Sequence, residues 1–325
     1  MVMIRFFLLL LTVMNIHLAY GEEKSLNFSF ELKIDTLETL ADSLIYASTD
    51  LRKINANDKY KRILNEVLKD SLSIFYNFSR IKNLSVLTAP GNQFRIYTWT
   101  LRLGKDEYDY YGFTQYQLKV KKGWFSPAKI ENYIFELKNQ SSSIGNDELA
   151  RLTNTNWLGC IYYTLVPSPK KKDNSFILIG WDGYAYSSTK KIIETIRFTD
   201  KGEPIFGYQI IRFDTTHGNS KAKPNFQNKS RIIFEYSGNV TMHCNYNLNL
   251  NMIVFDHLAP SNPALAGVKR VYAPDFTYDG LLYEKKSWTY KKDIDVRNRK
   301  EVKTIRWKPK DAQNRKLETI IPMRE

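Results

Sequence analysis

The chain of 325 residues carries only two cysteines, Cys160 and Cys244. That scarcity excludes a small disulfide-built scaffold, which needs several pairs to replace a core. No apolar run reaches the roughly 18 residues that a membrane-crossing helix requires. Chemistry-bearing motifs are missing too. There is no Gly-Lys-Ser/Thr phosphate loop, no His-Glu-x-x-His, no Cys-x-x-Cys and no Gly-x-Ser-x-Gly elbow. Histidine is rare, with four residues in all, and only His217, His243 and His257 lie beyond the N-terminal segment. A three-histidine zinc site would need all of them, and strand alternation turns His243 toward water. No metal and no cofactor are therefore expected. Disorder is excluded by the opposite kind of evidence: 43% of the residues are hydrophobic and 14% aromatic.

What is present begins with a leader. Arg5 supplies a positive start, residues 6–14 are apolar apart from Thr12, and Ala19-Tyr20-Gly21 puts small residues where a signal peptidase reads. Cleavage before Glu22 is expected, and with it export to a periplasm, a cell surface or the medium. An oxidising destination would permit a Cys160–Cys244 disulfide; two buried thiols are the alternative.

Residues 22–90 have a helical period. Leu37, Leu40, Leu44 and Ile45 follow Asp35, read as an N-cap, and Tyr60, Ile63, Leu64, Val67, Leu68 and Leu72 follow Asn57. The short break at residues 55–58 predicts an antiparallel hairpin whose apolar stripe docks on the next domain.

From Pro90-Gly91 the period becomes two, and residues 91–298 read as a mainly antiparallel β domain. Residues 94–101 and 110–120 form one expected hairpin around the loop at 104–107. Residues 157–166 form the next strand, and 176–181, apolar on both faces, a central one ending in an Asp182-Gly183 turn. Residues 231–236 are expected to pair with 240–248 through Ser237-Gly238-Asn239, with Cys244 inward and His243 outward. Strands at 252–258 and 281–290 complete a meander. The fold class is α+β, a helical hairpin before a sandwich-, barrel- or meander-like sheet.

The formal charge of +14 is unevenly spread. Residues 285–316 hold 13 basic and 4 acidic side chains, which makes residues 299–325 a basic tail, usually solvated. Such a segment would also suit adhesion to anionic surfaces. Nucleic acid is not an expected partner of an exported protein.

Candidate chemistry gathers in Asp256, His257, Asp275 and Asp279. These carboxylates, alone or joined by Asp182, would serve as acid and base in hydrolysis or hold calcium through oxygen ligands. Against that, Asp256 and His257 are adjacent and point to opposite faces of a strand unless it bulges. The plainer reading has Asp256 and Asp275 tying amides in Ala-Pro turns and Asp279-Gly280 turning a hairpin. Among the aromatics, Trp99 and Trp181, with Asp182 beside the latter, are candidate ligand contacts; Trp124 is a further exposed candidate.

As a set, Arg95-Ile-Tyr-Thr-Trp99, Asn156-Trp-Leu-Gly159 with Tyr162-Tyr163, Leu178-Ile-Gly-Trp-Asp-Gly183, Ile253-Val-Phe-Asp-His-Leu258 and Pro274-Asp-Phe-Thr-Tyr-Asp-Gly280 resemble a family of uncharacterised exported proteins of Bacteroidetes-type bacteria. The resemblance spans residues 90–298, implies a periplasmic or surface location, and carries no activity. The residues thus favour a non-catalytic binding module for an envelope glycan, peptide or protein. The alternative is a carboxylate-dependent hydrolase acting on a glycan or ester.

Overall fold

The computed structural model describes residues 28–296, apart from 105–106, 122–126, 128, 146, 171–173, 215, 217–222 and 224. The expected leader, the basic tail from 299, Trp124 and His217 lie outside the described residues.

Helix α1 occupies residues 28–46 and buries Phe30, Ile34, Leu37, Ala41 and Leu44, spaced three or four apart on one stripe. Helix α2 runs from Asp50 to Lys69, capped by Thr49, whose hydroxyl accepts the Arg52 N–H at 3.3 Å. The helical hairpin is real, but its break lies at residues 47–49 rather than 55–58. Asp35 and Asn57 sit inside helices instead of capping them. Asp35 instead pairs with Arg80 at 3.0 Å. Asn57 is buried and accepts the Trp99 indole N–H at 2.8 Å.

Among the described residues, three sheets follow. The first holds β1 (Leu84–Thr88), β2 (Phe94–Leu103), β3 (Glu107–Val120) and β4 (Lys129–Lys138) in that order, all antiparallel. The expected hairpin around residue 104 is β2–β3, with Leu103 opposite Glu107. β1 falls in the segment read as helical, and β4 was not foreseen.

The middle sheet is ordered β5 (Leu152–Thr153), β9 (Pro204–Phe206), β8 (Ser188–Phe198), β7 (Phe176–Ala185) and β6 (Ile161–Pro167). β12 (Arg231–Ser237) pairs along β8. The third runs β11 (Phe226–Lys229), β10 (Ile211–Asp214), β16 (Ser287–Lys291), β15 (Tyr272–Glu284), β14 (Met252–Pro260) and β13 (Cys244–Asn247), antiparallel except for β10 with β16. β13, β14, β15 and β16 form a meander, but residues 281–290 hold its last turn and are not one strand, since β15 ends at Glu284 and β16 starts at Ser287. Asn251 turns the first hairpin, as expected, in left-handed backbone, φ 50°.

Two turns were misassigned. Residues 231–237 and 244–247 are not hairpin partners: the first pairs with β8 in the middle sheet and the second with β14 in the third. Asp182-Gly183 lies in a bulge inside β7, and the turn comes at Tyr186-Ser187, with Ala185 opposite Ser188. Alternation fixes which face a residue takes; it cannot say which strand lies alongside.

The layers stack as helices, first sheet, middle sheet, third sheet. The first core joins Leu37, Tyr60, Leu64 and Leu68 of the helices to Tyr97, Trp99, Leu101 and Phe113. The second joins Phe94 and Ile96 to Leu178, Ile192 and Ile196, and the third joins Ile177, Ile179 and Ile193 to Ile253, Phe255 and Leu281. Residues 176–179 therefore feed two cores in strict alternation, which is why β7 reads as continuously apolar.

Candidate functional site

β14 and β15 pair in register from Asp256↔Tyr278 backward, then slip. One residue of β14, His257, faces three of β15, Asp275, Phe276 and Thr277, before Leu258↔Pro274 restores pairing. The extra residues loop out. Asp275 closes the loop by accepting the Thr277 N–H at 3.0 Å and its hydroxyl at 2.7 Å. Phe276, at its tip, is 91% exposed with φ 69°, a backbone state that bulky side chains rarely adopt.

The bulge brings three predicted residues together. His257 Nδ1 lies 2.7 Å from Asp279 Oδ2, and its Nε2 lies 4.0 Å from Asp275. Asp279 also accepts the Tyr290 hydroxyl at 2.7 Å and the Asp293 N–H at 3.1 Å. Burial pushes the Asp279 carboxyl up, but these bonds outweigh it and hold it below the ordinary carboxylate range. An ionised acceptor requires Nδ1 of His257 to donate. The imidazole is raised in turn, by its bond to Asp279 first, against burial, with the charges of Asp279 and Asp275 assisting.

This arrangement has a definite pH signature. The raised imidazole stabilises the fold below its ordinary value of about 6.5, and that contribution fades as pH climbs through the raised value. The depressed carboxyl stabilises above its ordinary value of about 3.9, and that contribution fades as pH falls through the lowered one. The stability lost in Asp279→Asn should therefore be greatest between about pH 4 and about pH 6.5 and shrink on either side, read from urea midpoints across pH. A difference flat with pH would refute the pairing.

Asp256 stays apart. It continues the Met252 and Val254 face, opposite to His257, and exchanges two bonds with His243: its N–H to the His243 carbonyl at 3.0 Å, and Oδ2 from the His243 N–H at 2.6 Å. The expected amide-tying role holds, though the amide belongs to β13's approach and not to an Ala-Pro turn. Asp279-Gly280 turns nothing; both sit inside β15, paired with Phe255 and Val254.

The other predicted contacts divide. Trp99 is completely buried beneath the helices and cannot touch a ligand. Trp181 is partly buried, edge-on to Tyr108 at 5.7 Å between ring centres. Cys160 and Cys244 are free buried thiols in separate cores, the second and the third.

Asp182 is better placed. Its carboxylate accepts the Tyr184 N–H at 2.8 Å, while Tyr110 accepts the Gly183 N–H at 2.7 Å. Burial raises Asp182, opposed by the Tyr184 N–H, the Tyr110 hydroxyl and the Lys190 charge. Asp182, Tyr110, Tyr184 and Lys190 line a cavity of about 370 Å³.

That cavity shares Asp147, Lys190 and Ile233 with a larger cleft of about 530 Å³. The cleft is lined by Ile232, Ile233, Phe234 and Glu235, four consecutive residues of β12. Side chains from both faces of one strand can share a cleft only along the strand's edge. Among the described strands, β12 pairs with β8 alone. Its outward bonding groups are those of odd-numbered residues: the Arg231 N–H reaches the Glu148 carbonyl at 3.3 Å and the Ile233 N–H reaches Glu148 Oε1 at 3.4 Å. Glu235 comes next in that outward series.

Family models, curated proteins and solved structures give no match to this chain. The site therefore rests on its own geometry.

Charge around the cleft is balanced: Lys190, Lys229 and Lys269 against Asp147, Glu148 and Glu235, with Phe213 and Tyr272 between them. Lys229 pairs with Glu148. None of these residues was singled out from the sequence. The one available signal is an apolar strand at 231–236, and a hairpin reading of it conceals the outer edge that Glu148 only partly covers.

Proposed function

We propose that this chain is a non-catalytic, exported binding module that captures an extended peptide as an added strand along β12. The observation that carries the reading is the outer edge of β12 lying in the cleft, where Glu148 takes the Arg231 and Ile233 N–H groups and Glu235 is the next outward residue. Strand addition supplies affinity through main-chain bonds and specificity through alternate side chains. Mixed lysine and carboxylate walls suit a peptide of both charges better than a polyanion, which would meet three acidic residues. Export rests on the expected leader at residues 1–21. The hydrolytic alternative has less support, because Asp256 faces away from His257 and Asp275 and Asp279 are engaged in closing the β15 bulge and clamping His257.

The test uses short unstructured peptides with alternating apolar and charged residues, followed by fluorescence anisotropy. Glu235→Pro deletes an outward N–H and leaves the bonds to β8 intact. Saturable binding should weaken at least about tenfold in that variant and persist in Glu235→Gln. Equal binding by Glu235→Pro, or preference for neutral oligosaccharides over every peptide, would overturn the reading.

A further inference from the structure

A further cavity, of about 490 Å³, opens on the other face of the β14–β15 bulge. Lys191 of β8 lines it together with Tyr163, His243, Asp256, Phe276 and Tyr278. The Lys191 ammonium sits 4.4 Å above the Tyr163 ring, and Tyr163 is itself fixed by donating its hydroxyl to the Cys244 carbonyl at 2.8 Å. Among the described residues, no carboxylate forms an ion pair with Lys191. Burial depresses its pKa, opposed by the neighbouring Cys244 thiol and by no carboxylate. A half-buried cation held on an aromatic face and facing an open cavity is costly unless an anion completes it.

The remaining walls say what kind of anion. Asp256 reaches the same cavity with one oxygen bonded to the His243 N–H, leaving acceptor capacity for a hydroxyl on the ligand. Phe276 stands on the rim, almost wholly exposed and held in left-handed backbone by the bulge. Exposure of a large ring in a strained conformation is the pattern of a residue kept for contact and not for packing. A flat apolar ring beside an acceptor and a cation matches a sugar that carries both hydroxyls and a carboxylate.

We infer that this cavity binds an acidic sugar, its carboxylate on Lys191, a hydroxyl on Asp256 and its ring face against Phe276. The site is separate from the β12 cleft and stands or falls independently of it.

The experiment titrates the full chain with D-glucuronate, D-glucose and phenylacetate, read by calorimetry and by chemical-shift changes. Glucuronate should bind saturably, at least about tenfold tighter than glucose or phenylacetate. Lys191→Met should weaken glucuronate binding at least about tenfold, Lys191→Arg should retain most of it, and Phe276→Ala should weaken it without changing the unfolding midpoint. Circular dichroism checks each variant's fold. Should Lys191→Met fail to fold, reductive methylation of Lys191 in the unaltered chain takes its place, and glucuronate should protect that amine. No saturable binding up to about 10 mM, equal binding of glucose, equal binding of phenylacetate, or unprotected Lys191 would each overturn the assignment. Loss of peptide binding in Glu235→Pro would leave it untouched.

Discussion

Replacing Arg231 with methionine should destabilise the protein by about 3–5 kcal/mol, the usual consequence of removing one partner from a buried ion pair. Arg231 and Glu194 are both fully buried, with Nε 2.5 Å from the carboxylate. The other carboxylate oxygen accepts the Tyr162 hydroxyl, which in turn accepts the Trp157 indole N–H at 3.0 Å. Without the guanidinium, Glu194 would be a charge inside the second core with only neutral donors around it. The guanidinium also bonds the carbonyls of Asp147 and Ala150, the latter at 2.9 Å. Those bonds hold the segment that forms one wall of the β12 cleft. Arg231→Met should consequently lower peptide affinity even where the fold survives. Urea unfolding of Arg231→Met, Glu194→Leu and the double variant separates the two effects. The double variant should recover much of the loss, short by about 1–3 kcal/mol for the orphaned Tyr162 hydroxyl. A single variant as stable as the parent would refute this account of the network.

Trp99→Ala should cost a similar amount, about 3–5 kcal/mol, because it empties the centre of the first core. The indole packs edge-on against Tyr60 at 5.3 Å and near-parallel to Tyr111 at 5.7 Å, and its N–H satisfies buried Asn57. Removing it leaves both a cavity and an unpaired amide in the middle of α2. Binding of glucuronate and of peptide by the folded fraction should be unchanged, since both cavities lie elsewhere. A loss of ligand affinity with unaltered stability would restore the role of surface contact expected of Trp99 from the sequence.

That reversal shows where sequence reading stops. Alternation along residues 94–101 correctly gave the strand and its two faces, but each face of β2 is covered, one by helices and one by the middle sheet. An aromatic on a two-sided strand looks the same whether its face meets water or another layer. The same limit governs residues 231–236. Their apolar pattern is that of a strand, while the partner, β8, is some forty residues away and joined by no turn that could announce it. The His257 cluster was half legible. Its members were named from polar side chains among apolar flanks, and the condition that would unite them, a bulge, was recognised. What no pattern supplied was the bulge itself, since three residues facing one is a property of the pairing and not of either strand. The lysines were least legible of all. Lys190 and Lys191 look like an ordinary charged pair, yet alternation sends one to each of two separate cavities.

The middle sheet lends each of its central strands to two interiors at once. Shearing off the third sheet would bare Ile177, Ile179 and Ile193 as a continuous greasy underside, and removing the first would do the same for Leu178, Ile192 and Ile196. Neither half can be amputated into a well-behaved fragment, so the whole assembly should melt in one step and its truncations should clump.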